Sequence, residues 1–466
     1  MTLPCRWWKP VWGSLLLVAA LMLSACKSLP VVVPDMARTS QGPRPQLEGA
    51  RGPLTAAQSK AVLERLRGSG GDTDIFARHL ALEEAIVGNP LTTGNKVVLL
   101  EDGPATYRAM LAAIAKAKDH VHMETYILDD DEVGQQFAAA LIERQRAGVQ
   151  VHVIRDSVGT LGTPAAFFER LTAEGIRVLE FNPVNPAKAR KEWELNERDH
   201  RKLLVVDGRV AFLGGINISA VYSSGSSGSF SRGTPSKEGW RDAHVQIEGP
   251  VVADFQKLFM ATWVAQKGEP MAARNYFPTP VNAGNEVVRA IGSSPEEPFS
   301  QIYATLLSAI GSAETSVYLT NAYFAPDPQL LAALEDAAAR GVDVRLILPS
   351  KTDSWLIFHA GRGYYERLLR AGVRIFERQG AILHSKTGLI DGVWATVGST
   401  NLDWRSFLHN HELNAVVLGA GFGAQMQAVF DKDLAASTEI TLAQWKRRSL
   451  DNRMLEGFSR IWEYWL

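Results

Sequence analysis

The chain has 466 residues, of which 46% are hydrophobic and 21% are charged, and its formal net charge is −1. These values are ordinary for a folded protein and exclude general disorder. They also argue against a non-specific nucleic-acid binder, because such proteins usually carry a strongly basic face. At roughly 150 residues per domain, the length predicts two or three domains.

The N-terminus has the order of a secretory signal. Basic residues precede an apolar run of 15 residues, 11–25, which is shorter than the about 20 that span a bilayer comfortably. The segment Leu23–Cys26, LSAC, resembles a bacterial lipobox, and this resemblance implies cleavage of residues 1–25 and lipid attachment to Cys26. An uncleaved anchor and an ordinary signal peptide are the alternatives.

Loss of Cys5 with the signal and acylation of Cys26 would leave no disulfide and no cysteine-based metal site. Lys27 stands where an aspartate commonly signals retention in the inner membrane. We therefore expect a lipoprotein that faces the periplasm, on the outer membrane of a Gram-negative host. Residues 26–54, which contain five prolines, are predicted to be a tether, and residues 55–91 an N-terminal helical segment.

An internal repeat follows. Residues 113–156 and 309–349 show the same order: helix, apolar strand with a tyrosine, helix, Gly-Val, apolar strand. The matching tyrosines are Tyr126 and Tyr323. Alternation of strands and helices predicts an α/β fold of mainly parallel sheets flanked by helices, in two homologous lobes related by a pseudo-twofold axis.

The predicted first strand runs over residues 95–103, and the lobes over 92–270 and 285–450, with a linker at 271–284 and a C-terminal aromatic helix at 451–466. The serine- and glycine-rich stretch between Asn217 and Trp240 is predicted to be a flexible loop, either a lid over the site or a tolerated insertion.

One polar pattern, H-x-K-x4-D-x6-G-[GS]-x-N, occurs once in each lobe. Its first copy consists of His200, Lys202, Asp207, Gly214, Gly215 and Asn217. Its second copy consists of His384, Lys386, Asp391, Gly398, Ser399 and Asn401. A single His-x-Lys would carry little information, but two full copies in matching places of a repeat indicate a functional site.

The spacing predicts which of these side chains meet. In a strand that begins at His200, the histidine and Lys202 share one face and Asp207 points to the other, so both motif aspartates are expected to brace a turn rather than touch substrate. The glycines permit a bend that brings each asparagine beside its histidine. Lysine, asparagine and histidine on one patch form an anion site. Two patches around one phosphate allow in-line displacement, in which one histidine attacks and the other protonates the leaving alkoxide, without a metal or cofactor.

The paired motifs, together with GGINIS, WRDAHVQIEGP and GSTNLDWRS, resemble those of the phospholipase D superfamily, and most of all its bacterial cardiolipin synthase branch. The resemblance covers about residue 95 to the C-terminus. It implies a covalent phosphohistidine intermediate and transfer of a phosphatidyl group to an alcohol or water.

The resemblance also implies a role for each matching residue. His200 is expected to be the nucleophile and His384 the acid and base. The phosphate oxygens are expected to be held by Lys202, Lys386, Asn217 and Asn401. The carboxylates behind the histidines are expected to be Asp242 and Glu412. Gly215 stands where many members have serine, so the first copy lacks that hydroxyl. The histidines without a repeat partner are interpreted as structural: His244, His409 and His411.

The expected activity is cardiolipin synthesis from phosphatidylglycerol by a protein that works as a monomer at a membrane and binds no nucleic acid. The alternatives are a phospholipase D that forms phosphatidic acid, a phosphodiesterase on nucleic acid, and a lipid-binding lipoprotein with a degenerate site. At the C-terminus, an apolar stripe at helical spacing is expected to pack on the domain core, with a bilayer interface as the alternative. The stripe consists of Leu455, Phe458, Trp462 and Trp465.

Overall fold

The computed structural model describes residues 47–69, 75–76, 79–80, 87–185, 194, 196–223 and 239–463. Four predicted features lie outside these residues: the signal with its lipobox and Cys26, the tether up to residue 46, loop residues 224–238, and Trp465.

The strands of the described part are β1 (Leu47–Gly49), β2 (Gly52–Pro53), β3 (Leu91–Leu100), β4 (His120–Thr125), β5 (Gln150–Asp156), β6 (Arg177–Phe181), β7 (Arg198–Asp199), β8 (Leu203–Val206), β9 (Val210–Gly214), β10 (His244–Glu248), β11 (Glu286–Ser293), β12 (Ser316–Asn321), β13 (Phe324–Ala325), β14 (Asp343–Pro349), β15 (Arg374–Arg378), β16 (Lys386–Ile390), β17 (Trp394–Gly398), β18 (Leu402–Asp403), β19 (Asn410–Leu418) and β20 (Ser437–Ile440). The helices are α1 (Ala56–Ser69), α2 (Gly103–Ala115), α3 (Glu132–Arg146), α4 (Ala165–Ala173), α5 (Val252–Ala265), α6 (Gln301–Ser312), α7 (Pro328–Ala339), α8 (Trp355–Arg362), α9 (Tyr365–Ala371), α10 (Trp404–Leu408), α11 (Ala420–Ala435), α12 (Leu442–Lys446) and α13 (Leu450–Arg460).

Each lobe contains one mixed sheet, and the two sheets have equivalent strand orders. In the first lobe the order is β6, β5, β4, β8, β9, β10, β3. In the second it is β15, β14, β12, β16, β17, β19, β11. The α/β class and the two homologous lobes are therefore confirmed. Only the first three strands of each order are parallel, because an Asp-Gly turn makes an antiparallel hairpin of each motif region.

The two sheets join edge to edge. Strand β3 pairs with β11 in antiparallel fashion, and β7 of the first lobe pairs with β19 of the second in parallel. A buried apolar cluster contains side chains from both lobes, among them Leu213, Val245, Val288 and Val397. Burial of this shared surface holds the lobes in one relative position, so both motifs reach a common site.

The N-terminal boundaries differ from those expected. Residues 47–54 of the predicted tether, 26–54, belong to the fold, because Leu47 is fully buried and begins a strand that pairs with β3. Strand β3 itself begins at Leu91 rather than at residue 95. The five prolines and the lack of apolar periodicity predicted a linker here, but the burial of one leucine and the added strand pairing place residues 47–54 in the fold.

The C-terminal helix does not pack as expected. Phe458 and Trp462 are exposed, and Leu455 is only half-buried. The buried side chains of α13 are Glu456 and Ser459. In the part of the chain that the structure describes, no helix combines the length and apolar character needed to cross a bilayer.

Candidate active site

The two motifs converge on one buried cluster. Its six titratable side chains are at most 7% exposed: His200, Lys202, Asp242, His384, Lys386 and Glu412. The first-motif strand, β8, begins only at Leu203, later than expected. His200 lies instead in a segment that crosses to the other lobe, where its backbone N–H donates to the His411 carbonyl oxygen (3.0 Å).

Each motif histidine contacts a carboxylate from the opposite lobe. His200 Nδ1 lies 3.0 and 3.2 Å from the two carboxylate oxygens of Glu412. His384 Nδ1 lies 2.7 Å from Asp242 Oδ2. These contacts fix the Nδ1 side of both rings and leave Nε2 available for a reaction. The sequence identified the carboxylates but did not show that the pairing crosses between lobes.

Burial and the neighbouring cations lower the pKa of both histidines. Burial, with Lys202 close by, lowers the pKa of His200 to about 4. Burial and Lys386 lower the pKa of His384. Burial would raise the pKa of Glu412, but His200 and Lys202 outweigh it, so the pKa is lowered and the group stays a carboxylate.

The two motif lysines are poised to hold an anion. Burial lowers the pKa of Lys202 to about 7 and that of Lys386 to about 8. Each ammonium donates to the backbone carbonyl of its own motif histidine. An anion such as a phosphate held beside these two lysines would favour their charged forms.

The repeat tyrosines line the same cluster. The ring of Tyr126 lies 5.2 Å from that of His200 and 5.2 Å from Lys202 Nζ. The ring of Tyr323 lies 6.1 Å from that of His384 and 5.8 Å from the ammonium of its motif lysine. The sequence showed that the two tyrosines match, but not that each packs against a motif histidine.

The family is shown by comparison with known proteins. The family model described as "Cardiolipin synthase, PLD-like domain" matches residues 110–225 and 306–434. A cardiolipin synthase of Geobacillus kaustophilus (strain HTA426) is 34% identical over 384 residues, which are 82% of this chain and 74% of that protein. One from Alkalihalophilus pseudofirmus (strain ATCC BAA-2126 / JCM 17055 / OF4) is 32% identical over 400 residues, 85% of this chain and 77% of that protein. The chain belongs to the PLD-like cardiolipin synthase family.

Membership confirms the resemblance found in the sequence, and it assigns the chain to the phospholipase D-type phosphatidyltransferases. A solved structure agrees on the fold. The phosphatidylserine synthase of Haemophilus influenzae Rd KW20 aligns with 82% of this chain and 99% of that chain at a TM-score of 0.62, with 13% sequence identity.

The motif asparagines are placed differently from each other. Asn217 accepts from the Ile127 N–H and donates to the Tyr222 hydroxyl (3.0 Å). That hydroxyl lies 3.3 Å from His384 Nδ1, so Asn217 reaches the histidine of the other lobe through a tyrosine. Among the described residues, the buried Oδ1 of Asn401 has no hydrogen-bond partner. The sequence gave no signal for Tyr222, which follows the motif in a short 3₁₀ helix.

The motif glycines are required by close approach. A Cβ on Gly398 would lie 2.0 Å from Asn414 Oδ1, and one on Gly214 would lie 2.5 Å from the Ala243 carbonyl oxygen. A Cβ on Gly215 would lie 2.3 Å from Asp242 Oδ1. The short Asp242 therefore occupies the space that a serine side chain would need at residue 215.

In the second lobe, the residue that matches Gly215 has a side chain. Ser399 donates its hydroxyl to Glu412, the carboxylate that contacts His200. The first motif therefore combines a glycine with the shorter Asp242, and the second combines a serine with the longer Glu412. Each carboxylate still contacts a motif histidine.

The motif aspartates lie away from the cluster, at the hairpin turns. Both have positive φ, 53° for Asp207 and 49° for Asp391. The Asp207 carboxylate accepts from the backbone N–H groups of residues 118, 119 and 120 at 2.8 to 3.0 Å. The Asp391 carboxylate accepts from residues 314, 315 and 316. Each aspartate therefore connects its turn to the start of the neighbouring antiparallel strand, β4 in the first lobe and β12 in the second.

Three further histidines lie nearby. His244 is buried, and burial lowers its pKa to about 3. Burial, with Arg405 close by, lowers the pKa of His409. In the described part of the chain, the side chains with donor atoms close enough to hold a metal ion are His411, Glu197 and Glu296, whose ligand atoms lie within 4.8 Å of one another. This group contains neither of the two motif histidines.

Proposed function

We propose that the protein joins two molecules of phosphatidylglycerol into cardiolipin and releases glycerol, through two phosphatidyl transfers at one site. The observation that supports this is the crossed arrangement: two buried histidines, each oriented by a carboxylate of the opposite lobe, beside two buried lysines. The substrates are phospholipids, as the names of the cardiolipin synthases among its relatives imply.

In the first transfer, Nε2 of His200 attacks the phosphorus of one phosphatidylglycerol. His384 acts here in its protonated form, having taken up a proton from solvent as the anionic substrate binds. The bond between phosphorus and the headgroup glycerol oxygen breaks, and His384 gives its Nε2 proton to that oxygen. Glycerol leaves, and the phosphatidyl group stays bound to His200. The lowered pKa of His200 supports its role as the nucleophile, because the ring is neutral at physiological pH.

In the second transfer, His384 removes a proton from the headgroup hydroxyl of another phosphatidylglycerol. The hydroxyl oxygen attacks phosphorus, the phosphorus–nitrogen bond breaks, and cardiolipin leaves with His200 neutral again. Glu412 stabilises the positive charge that His200 carries in the intermediate, and Asp242 does so for protonated His384. The non-bridging phosphate oxygens are held by Lys202, Lys386, Asn217 and Asn401.

The same proposal includes the location of the protein. Lipid attachment to Cys26 after removal of residues 1–25 would anchor it to the outer membrane facing the periplasm. One chain suffices for the chemistry, because its two lobes supply both histidines. Labelled palmitate that enters the wild-type protein but not Cys26→Ala would support the anchor. Equal labelling of both would contradict it.

Product analysis tests the function. The purified full chain is incubated with vesicles of labelled phosphatidylglycerol, with and without phosphatidylethanolamine, beside a His200→Ala control. Cardiolipin and glycerol that are absent in the control are the expected result. Phosphatidic acid as the sole product would make water the acceptor and contradict the synthase. No lipid turnover would direct attention to other phosphodiesters.

A further inference from the structure

Helix α13 turns a large apolar face away from the protein. Leu450 and Met454 are 73% and 72% exposed, Phe458 and Ile461 are 52% and 72% exposed, and Trp462 is 42% exposed. Their spacing of three or four residues puts these side chains on one side of the helix. The surfaces of soluble proteins rarely expose so many large apolar side chains together, and such patches usually mark the binding site of an apolar partner.

The outward orientation of this face is fixed by polar contacts on the other side of the helix. Glu456 is buried and pairs with Arg448 at 2.9 Å. The guanidinium of Arg460 lies 4.5 Å from the centre of the Tyr364 ring. The Tyr364 hydroxyl donates to Glu463 at 2.6 Å. The helix is therefore attached to the second lobe by its polar side, and its apolar side stays free.

The charge of the segment identifies the partner. Residues 446–460 contain five basic and two acidic side chains, a net charge of 5 minus 2, or +3, whereas the whole chain has a net charge of −1. Lys446, Arg447 and Arg453 are exposed. An apolar face bordered by cations matches the boundary between the anionic headgroups and the acyl chains of a phospholipid bilayer.

Helix α8 links this face to the candidate active site. It packs against α13 and begins at Trp355, which is 48% exposed. Two residues earlier, Asp353 accepts a hydrogen bond from Tyr323, the tyrosine that packs against His384 (2.7 Å). The apolar face is thus linked to His384 through α8, Asp353 and Tyr323.

We propose that α13 lies in the surface of an anionic phospholipid bilayer, with its apolar face among the upper acyl chains, and holds the active site against the leaflet that supplies the substrate. This inference rests on the proposed function in one respect, which is that the substrate is a bilayer lipid. It acts in addition to any anchor at the N-terminus, which by itself would tether the enzyme without orienting the site.

Photo-crosslinking tests the proposal on the full chain reconstituted into phosphatidylglycerol vesicles whose lipids carry a photoreactive group on the acyl chain. The test variant is Met454→Ser/Phe458→Ser/Ile461→Ser. The matched control is Met454→Leu/Phe458→Leu/Ile461→Leu, which keeps the face apolar. Because all three side chains are exposed, both variants should have the same melting temperature as the wild-type protein.

The expected result is lipid adducts in the peptide that contains residues 450–461, in wild type and the leucine variant but not in the serine variant. Transfer on vesicles should fall about tenfold or more in the serine variant, and remain unchanged on short-chain phosphatidylglycerol dispersed as monomers. Absence of adducts in this peptide while other peptides are labelled would overturn the proposal. So would crosslinks from this peptide to a second copy or to residues 1–46. Adduct formation needs no turnover, so an inactive protein that still labels would refute the proposed function alone.

Discussion

Replacement of Glu412 by glutamine tests the crossed pairing. The side chain is fully buried, and its two oxygens lie 3.0 and 3.2 Å from His200 Nδ1. Glutamine keeps the size of the side chain and an oxygen that can accept the Nδ1 proton, but it removes the negative charge. The His200 ring is positively charged in the intermediate and partly so in the transition state that leads to it. The substitution therefore destabilises the transition state more than the free enzyme, in which the ring is neutral.

The magnitude follows from Coulomb's law. Two unit charges about 4 Å apart interact by about 4 kcal/mol at an effective dielectric constant of about 20. A loss of about 4 kcal/mol from the transition state slows the reaction by about a thousandfold. We therefore expect Glu412→Gln to reduce the rate of cardiolipin formation by about that factor.

The assay measures transfer on phosphatidylglycerol vesicles together with histidine nitrogen NMR of the folded protein. Ser399→Ala is the control, because it removes one hydrogen bond to Glu412 but keeps the carboxylate charge, so its loss of activity should be smaller than that of Glu412→Gln. Glu412→Gln should perturb the ring signals of His200 and leave those of His384 in place, and Asp242→Asn should do the reverse. A loss below tenfold in Glu412→Gln, or a perturbation of His384 instead, would refute the reasoning.

Three other perturbations test separate parts of the site. Because the pKa values of Lys202 and Lys386 are lowered to about 7 and about 8, kcat/KM should fall as the pH rises through 7 to 8 and the ammonium charges are lost; a rise there in the pH profile would contradict this. Asp207→Asn weakens three charge-assisted hydrogen bonds, so denaturant unfolding should show a loss of about 1 to 3 kcal/mol with transfer per folded molecule within about threefold. Normal stability with activity as low as in His200→Ala would overturn that role. Gly215→Ser must displace Asp242, so its activity should fall to the level of Asp242→Asn; full activity would show that the carboxylate is not needed where it lies.

The sequence predicted the features that depend on local pattern and repetition. The two copies of the motif and the alternation of strands and helices led to the two lobes, and membership of the family confirms the resemblance. The resemblance to the family implied that Asp242 and Glu412 are the carboxylates behind the motif histidines. Their exchange between lobes depends on how β7 docks beside β19, which no local pattern encodes.

The errors of the sequence interpretation share a physical cause. An amphipathic stripe such as that of α13 shows that one face of the helix is apolar. It does not show whether that face packs on the protein core or on a bilayer, because helices in both places have the same spacing of apolar residues. Likewise, the prolines before residue 54 predicted a tether, although Leu47 is buried in an apolar cluster formed mainly by the second lobe. Both outcomes depend on distant surfaces of the fold.

The most direct test of the proposed mechanism is mass spectrometry of the enzyme quenched during turnover. The protein is mixed with phosphatidylglycerol vesicles, stopped within milliseconds to seconds and digested under conditions that preserve phosphorus–nitrogen bonds. A phosphatidyl adduct on His200 is the predicted result, absent in His200→Ala and lost on addition of excess acceptor. An adduct on His384, or cardiolipin formed with no adduct on either histidine at any time, would contradict the mechanism.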